Sequence, residues 1–257
     1  MNGGLVADDD RSRSWWATTW PLDRHDGVTL AVAYVSVVAV GALVGRMLYD
    51  WFAPTALTDL DDRVAVWMSE HRSDGLNTFL EWGGRLSDTI PKVIVSTLVA
   101  AAMLYAFRRW REAALVGLSL LFEALAFILM STIVQRDRPP DELAIETSPV
   151  DTSFPSGHIA AATVYAAFAV IVFWHTRKVW ARALAVVLSV AVVAIVASSR
   201  VYEAAHFLSD AIGGIVLGLV SLAIAVKVVG APYDAAGGDG EPDGELERAE
   251  ARSAASR

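Results

Sequence analysis

The chain has 257 residues, with 21 Lys and Arg against 29 Asp and Glu. The resulting net charge of −8 argues against a nucleic-acid binder with a basic face, and the absence of cysteine excludes a disulfide scaffold, a thiolate metal site and a cysteine nucleophile. Hydrophobic residues make up 54% of the chain and charged residues 19%, and the apolar ones fall in long blocks, the distribution of a membrane protein.

A hydrocarbon core about 30 Å thick is crossed by about 20 apolar helical residues, each rising about 1.5 Å. Six blocks approach that requirement. They run from Val28 to Leu48, with Arg46 near the end, and from Val93 to Phe107, lengthened by Ile90 and Pro91 behind an Asp88 or Thr89 cap. The third runs from Ala113 to Val134 and is interrupted by Glu123; the others are Ile159 to Trp174, Ala183 to Ser198 and Ala211 to Val226. The pattern predicts an all-α polytopic bundle of six transmembrane helices. Between the first two spans, Pro54 to Asp88 mixes Val64, Val66, Trp67 and Met68 with Asp and Arg. It reads as interfacial amphipathic helices, the second broken by Gly83-Gly84. All nine Trp residues lie in flanks or connections, where indole rings favour the headgroup level.

Residues 1–27 read as an N-terminal cytoplasmic or interfacial segment, residues 28–229 as the membrane domain, and residues 230–257 as a disordered cytoplasmic tail rich in Gly, Ala, Asp, Glu and Ser. Asp8, Asp9 and Asp10 precede the first apolar block, so that block is expected to be a retained span and not a cleaved signal. Arg108, Arg109 and Arg111 mark the second connection, and Arg177, Lys178 and Arg182 the fourth. Both are then cytoplasmic in a multi-pass protein of the cell membrane, with the termini inside and connections three and five facing outward.

Three polar clusters survive in this apolar chain, all at that outward face: Gln135 to Pro140, Phe154 to His158, and Ser199 to Asp210. Arg138, Arg200 and Arg136 offer permanent cations whose planar forks match phosphate oxygens. Ser156 and Gly157 open the fourth span, where free backbone N–H groups and the helix dipole favour an anion. His206 and Asp210 are four apart, on one face of the sixth helix, so the carboxylate can fix the imidazole tautomer and leave the other nitrogen to attack. His158, from another helix, can protonate the departing oxygen. Taken singly, these are a charged helix end, a turn and a structural pair. The His-Asp pair could also ligate a metal, but the neighbouring arginines would repel a cation. Together they describe phosphoryl transfer at a membrane face. Asp137, Asp141, Glu142 and Glu146 read as a solvated loop, and Glu123 as a polar tie between helices about 22 Å below the site.

Here the sequence resembles the type 2 phosphatidic acid phosphatases, which share a fold with vanadium haloperoxidases. Their three signatures are Lys-x6-Arg-Pro, Pro-Ser-Gly-His and Ser-Arg-x5-His-x3-Asp. Residues 155–158 match the second in full; Ser199, Arg200, His206 and Asp210 match the third; Arg138-Pro139 match the end of the first. The resemblance implies a six-helix membrane phosphatase that needs no metal or other cofactor and works through a phosphohistidine at His206. It also implies His158 as leaving-group acid, with Arg138, Ser156, Gly157 and Arg200 around the phosphate. The substrate would be a lipid phosphomonoester or pyrophosphate of polyprenyl diphosphate, phosphatidate or phosphatidylglycerophosphate type, its tails in the bilayer. One position departs from the pattern: Ser131 stands where the family has lysine, a gap Arg136 is expected to fill in part. The alternative reading is a weakened relative that binds or translocates a phospholipid. A vanadate-dependent peroxidase fits the motifs but not the uncharged spans.

Overall fold

The computed structural model describes residues 24–85, single positions between 90 and 105, 110–145 and 152–230. Among them the secondary structure is helical, with one isolated backbone bridge between Asp137 and Thr152. Helix α1 (Arg24–Arg46) continues through a π turn, Met47–Trp51. Two shorter helices follow, α2 (Ala56–Glu70) and α3 (Asp74–Arg85). The bundle is completed by α4 (Trp110–Val134), α5 (Gly157–Val164), α6 (Ala167–His175), α7 (Val179–Tyr202) and α8 (Leu208–Val229). Helices α5 and α6 form one interrupted rod. At the break, Tyr165 and Ala166 donate to carbonyls only three residues back, a local tightening of the turn.

Five stretches among the described residues are long and apolar enough to cross a bilayer: His25–Trp51, Trp110–Val134, Gly157–His175, Val179–Tyr202 and Leu208–Val229. Each outruns the apolar block that announced it or matches its end, because polar residues at the rims continue the helix. The predicted second span, Val93 to Phe107, falls largely outside the described residues; Ile94, Leu98 and Tyr105 within it are helical. Most of the N-terminal segment and the tail from 231 onward also lie outside them.

Apolar surface divides between the inside of the bundle and its rim. One core joins Val38 and Ala42 of α1 to Phe122, Ala126 and Met130 of α4 and Leu217 of α8; another joins Leu115, Ile171 and Leu222 toward the opposite end. Val28, Val32 and Val35 on α1 and Leu184, Val187 and Val190 on α7 remain exposed, as lipid-facing side chains must. Close approach of α5 to α8 depends on small residues. A Cβ at Gly214 would lie 2.5 Å from the Ser156 carbonyl oxygen, and one at Gly218 2.5 Å from that of Ala160. Bare Gly backbone at a four-residue spacing lets the two helices touch.

Gly83 and Gly84 do not break α3, contrary to the expectation from sequence. Both are helical and buried. A Cβ at Gly83 would run into Ile195 of α7 and one at Gly84 into Ser199 and Arg200. The pair is a contact surface, which fixes α3 across the polar end of α7. Arg72, in the link between α2 and α3, reinforces this junction by donating to the carbonyl oxygens of Tyr202 and Leu143.

Candidate active site

The third cluster does not lie on one helix. Helix α7 carries Ser199 and Arg200 and ends at Tyr202; α8 begins at Leu208. The link turns on Ala204, whose φ of 55° lies in the left-handed region. This is a position that glycine commonly takes after a helix end. The Arg200 carbonyl oxygen accepts from the N–H groups of both Ala205 and His206. His206 therefore precedes the helix on which the four-residue spacing had placed it. It is 3% exposed.

His206 Nδ1 lies 2.9 Å from the carbonyl oxygen of Ser153. A carbonyl can only accept, so Nδ1 carries the proton and Nε2 the lone pair. One ring nitrogen is held by an acceptor and the other keeps its lone pair, the arrangement the sequence suggests, but the acceptor is the Ser153 carbonyl and not the Asp210 carboxylate. Asp210 reaches the imidazole through Ser153, whose Oγ donates to Asp210 Oδ2 at 2.5 Å. The same carboxylate oxygen accepts from Phe207 N–H at 2.9 Å, closing the first turn of α8. Sequence reasoning missed Ser153, since nothing in its spacing sets it apart from other loop serines.

Backbone bonds knit the three clusters together. Ser153 N–H donates to the Arg136 carbonyl at 2.8 Å, and Ser156 N–H to the Asp210 carbonyl at 3.1 Å. Arg138 Nη1 donates to the Ala205 carbonyl at 2.5 Å. Burial first, then the charges of Arg138 and His158, push His206 well below the usual histidine range; Arg200 adds to the effect, and the Ser153 carbonyl opposes it. Around one neutral imidazole, then, stand two guanidinium groups and a second imidazole from separate segments.

Ser156 Oγ and Arg200 Nε are buried and have no hydrogen-bond partner among the described residues. Such groups are costly unless something accepts from them. Arg200 Nη2 faces Glu203 Oε2 at 3.3 Å, and Glu203 Oε1 accepts from Ser199 Oγ at 3.0 Å. Ser156 and Gly157 open α5 with their N–H groups at a helix N-terminus, and His158 follows in its first turn.

Arg136 stands apart from this group. Its Nη2 pairs with Asp61 Oδ2 at 2.8 Å and its Nη1 with Asp210 Oδ1 at 2.5 Å. The rings of Tyr49 and Phe207 lie 3.9 and 4.2 Å from its guanidinium carbon. Burial works against the charge, but Asp210, then Tyr49 and Asp61, hold it protonated. Its two terminal nitrogens are engaged by these carboxylates and, through Nη1, by the Ser209 hydroxyl at 2.8 Å, so it is not available to stand in for the lysine absent at 131. Ser131 does not compensate either, because its hydroxyl donates to the Ile128 carbonyl of its own helix. Asp61, fully buried, was not singled out in a segment crowded with acidic residues. Glu123 is 1% exposed within α4, while Asp137, Asp141 and Glu142 are exposed. Glu146 is outside the described residues. No three His, Asp or Glu side chains among the described residues converge as metal ligands.

Two solved structures share this architecture. One is a transmembrane PAP2-type phosphatidylglycerolphosphate phosphatase from Bacillus subtilis. It is 21% identical, with a TM-score of 0.65 over 76% of this chain and 94% of that one. The other is LpxE of Aquifex aeolicus, also 21% identical, with a TM-score of 0.50 over 64% of this chain and 93% of that one. No curated protein sequence matches the chain. The family model described as the PAP2 superfamily matches residues 112–233. That region contains all three polar clusters, so over residues 112–233 the chain is similar to the PAP2 superfamily.

Proposed function

We propose that the chain is an integral membrane lipid phosphatase that hydrolyses a lipid phosphomonoester or pyrophosphate through a phosphohistidine, without metal. The observation that carries this reading is the pairing of a fixed, neutral His206 with buried donors that lack acceptors, Ser156 Oγ and Arg200 Nε. A phosphate group seated on Arg138, Arg200, Ser156 and the amide of Gly157 supplies those acceptors.

The His206 Nε2 lone pair attacks phosphorus as the bond to the lipid oxygen breaks. His158 gives its proton to that oxygen. Water then attacks phosphorus as the bond to His206 Nε2 breaks, His158 takes a proton from the water, and the products are inorganic phosphate and a neutral His206. Cations and amide donors hold the equatorial oxygens as charge develops. Asp210, acting through Ser153, keeps the Nδ1 proton in place. Polyprenyl diphosphate, phosphatidate and phosphatidylglycerophosphate types all present the required phosphate, with tails in the bilayer and head groups at the outer face of the cell membrane. The distribution of Lys and Arg supports that orientation, with both termini cytoplasmic.

Purified protein in detergent releases inorganic phosphate from a panel of lipid phosphates in the presence of a chelator, and His206→Ala does not. Turnover that stops on chelation, or that survives in the variant, overturns the mechanism. Ser131, bonded back to its own helix, favours one second reading: a relative that binds or translocates a phospholipid. Under that reading wild type is inactive and Ser131→Lys creates activity.

A further inference from the structure

We propose that Asp61, on the interfacial helix α2, is a positioning residue for His206 that acts through Arg136, Asp210 and Ser153. The proposal rests on the phosphatase reading above and adds a contribution from a helix outside all three signature clusters.

Asp61 is 0% exposed. Its Oδ1 accepts from the Ser209 amide at 2.9 Å, in the first turn of α8, and its Oδ2 accepts from the Ser209 hydroxyl and from Arg136 Nη2. Tyr49 donates to the same Ser209 hydroxyl. Arg136 is thus shared between two buried carboxylates, one nitrogen to each. From Arg136 two routes reach Ser153. The main-chain route is the bond from Ser153 N–H to the Arg136 carbonyl, beside the bridge between Asp137 and Thr152. The side-chain route passes from Nη1 to Asp210 Oδ1 and from Asp210 Oδ2 to the Ser153 hydroxyl. Ser153 in turn supplies the carbonyl that holds His206 Nδ1.

The charges explain why Asp61 matters to a ring it does not touch. With one fork nitrogen held by Asp61, Arg136 takes only one oxygen of Asp210 and leaves Oδ2 to Ser153 and Phe207. Without the Asp61 charge, the planar fork closes on both oxygens of Asp210, the geometry that Arg and carboxylate adopt when unconstrained. Oδ2 is then drawn away from the Ser153 hydroxyl. The Ser153 carbonyl shifts with its residue, and the imidazole loses its fixed direction. Small misplacements of a reacting group cost rate far more than they cost binding.

The test is a double-mutant cycle on the full-length protein in detergent. Asp61→Asn is expected to lower kcat about tenfold or more with KM within about twofold. Ser153→Ala lowers kcat comparably. The double variant should be no slower than the slower single one, because both act on the same bond. Asp62→Asn, next along the chain and exposed, leaves kcat unchanged. A thermal melt separates positioning from anchoring: Asp61→Asn that melts earlier yet keeps wild-type kcat at permissive temperature overturns the proposal, as do multiplicative losses in the double variant. Wild-type protein that releases no phosphate overturns the phosphatase reading itself. The positioning claim is then read from modification of His206 by diethyl pyrocarbonate, followed by mass spectrometry. A change of about threefold or more in its rate in Asp61→Asn supports the claim, and an unchanged rate defeats it.

Discussion

Gly84→Ala tests whether α3 sets the position of Arg200. A Cβ at residue 84 would meet Arg200 Nη2 at 2.0 Å and Ser199 Oγ at 2.3 Å, where ordinary contact begins at 3.4 Å. The guanidinium must therefore retreat by 3.4 − 2.0, about 1.4 Å. Because Nη2 is the far end of a flexible side chain, Arg200 moves and the helices stay, and alanine improves the helix itself. Stability should change little while the phosphate contact proposed for Arg200 is lost. One charge-assisted hydrogen bond is worth about 1.5–3 kcal/mol, and about 1.4 kcal/mol is a factor of ten in rate. The expected loss in kcat/KM is therefore roughly 10- to 150-fold. The assay is phosphate release from a lipid phosphate in detergent, with thermal melts in parallel. Gly75→Ala is the control, since nothing lies within 4 Å of a Cβ there. If Gly84→Ala keeps kcat/KM within about twofold of wild type while melting normally, α3 does not fix Arg200 and the reasoning fails.

The depressed His206 titration places the acid limb of kcat/KM below about pH 6.5, the ordinary histidine value. Arg138→Gln removes one of the charges responsible and should move that limb to higher pH, besides weakening turnover; a limb that moves down refutes the assignment. Because the folded protein favours the neutral ring, His206 contributes stability that is complete above about pH 6.5 and declines as the pH falls, which melts across pH will show. Glu203→Gln removes a carboxylate that competes for Arg200. A pair of this kind is worth up to about 1 kcal/mol, so inhibition by inorganic phosphate should tighten about two- to fivefold, and weaker inhibition would show that Glu203 assists binding.

Much of the molecule is legible along the chain. Apolar blocks of span length must cross a bilayer as helices, because lipid offers backbone groups no other partner. His158, Arg138, Arg200, His206 and Asp210 stand out because charged and polar residues are rare in so apolar a sequence. What the chain does not show is who holds whom. The His206–Asp210 spacing pointed to a direct pair, but the link after α7 turns on Ala204 and α8 starts after the histidine, so a serine carbonyl takes that role. Arg136, two residues from Arg138, looked like a second phosphate cation, yet it is turned inward between Asp61 and Asp210. Gly83 and Gly84 read as a helix break until the side of α7 was seen lying against them. Local sequence fixes periodicity and charge, whereas hydrogen-bond partners are chosen by distance in space. Asp61 and Arg136 are 75 residues apart in the chain and 2.8 Å apart in the fold, and only the packing of α2 over the bundle brings them together.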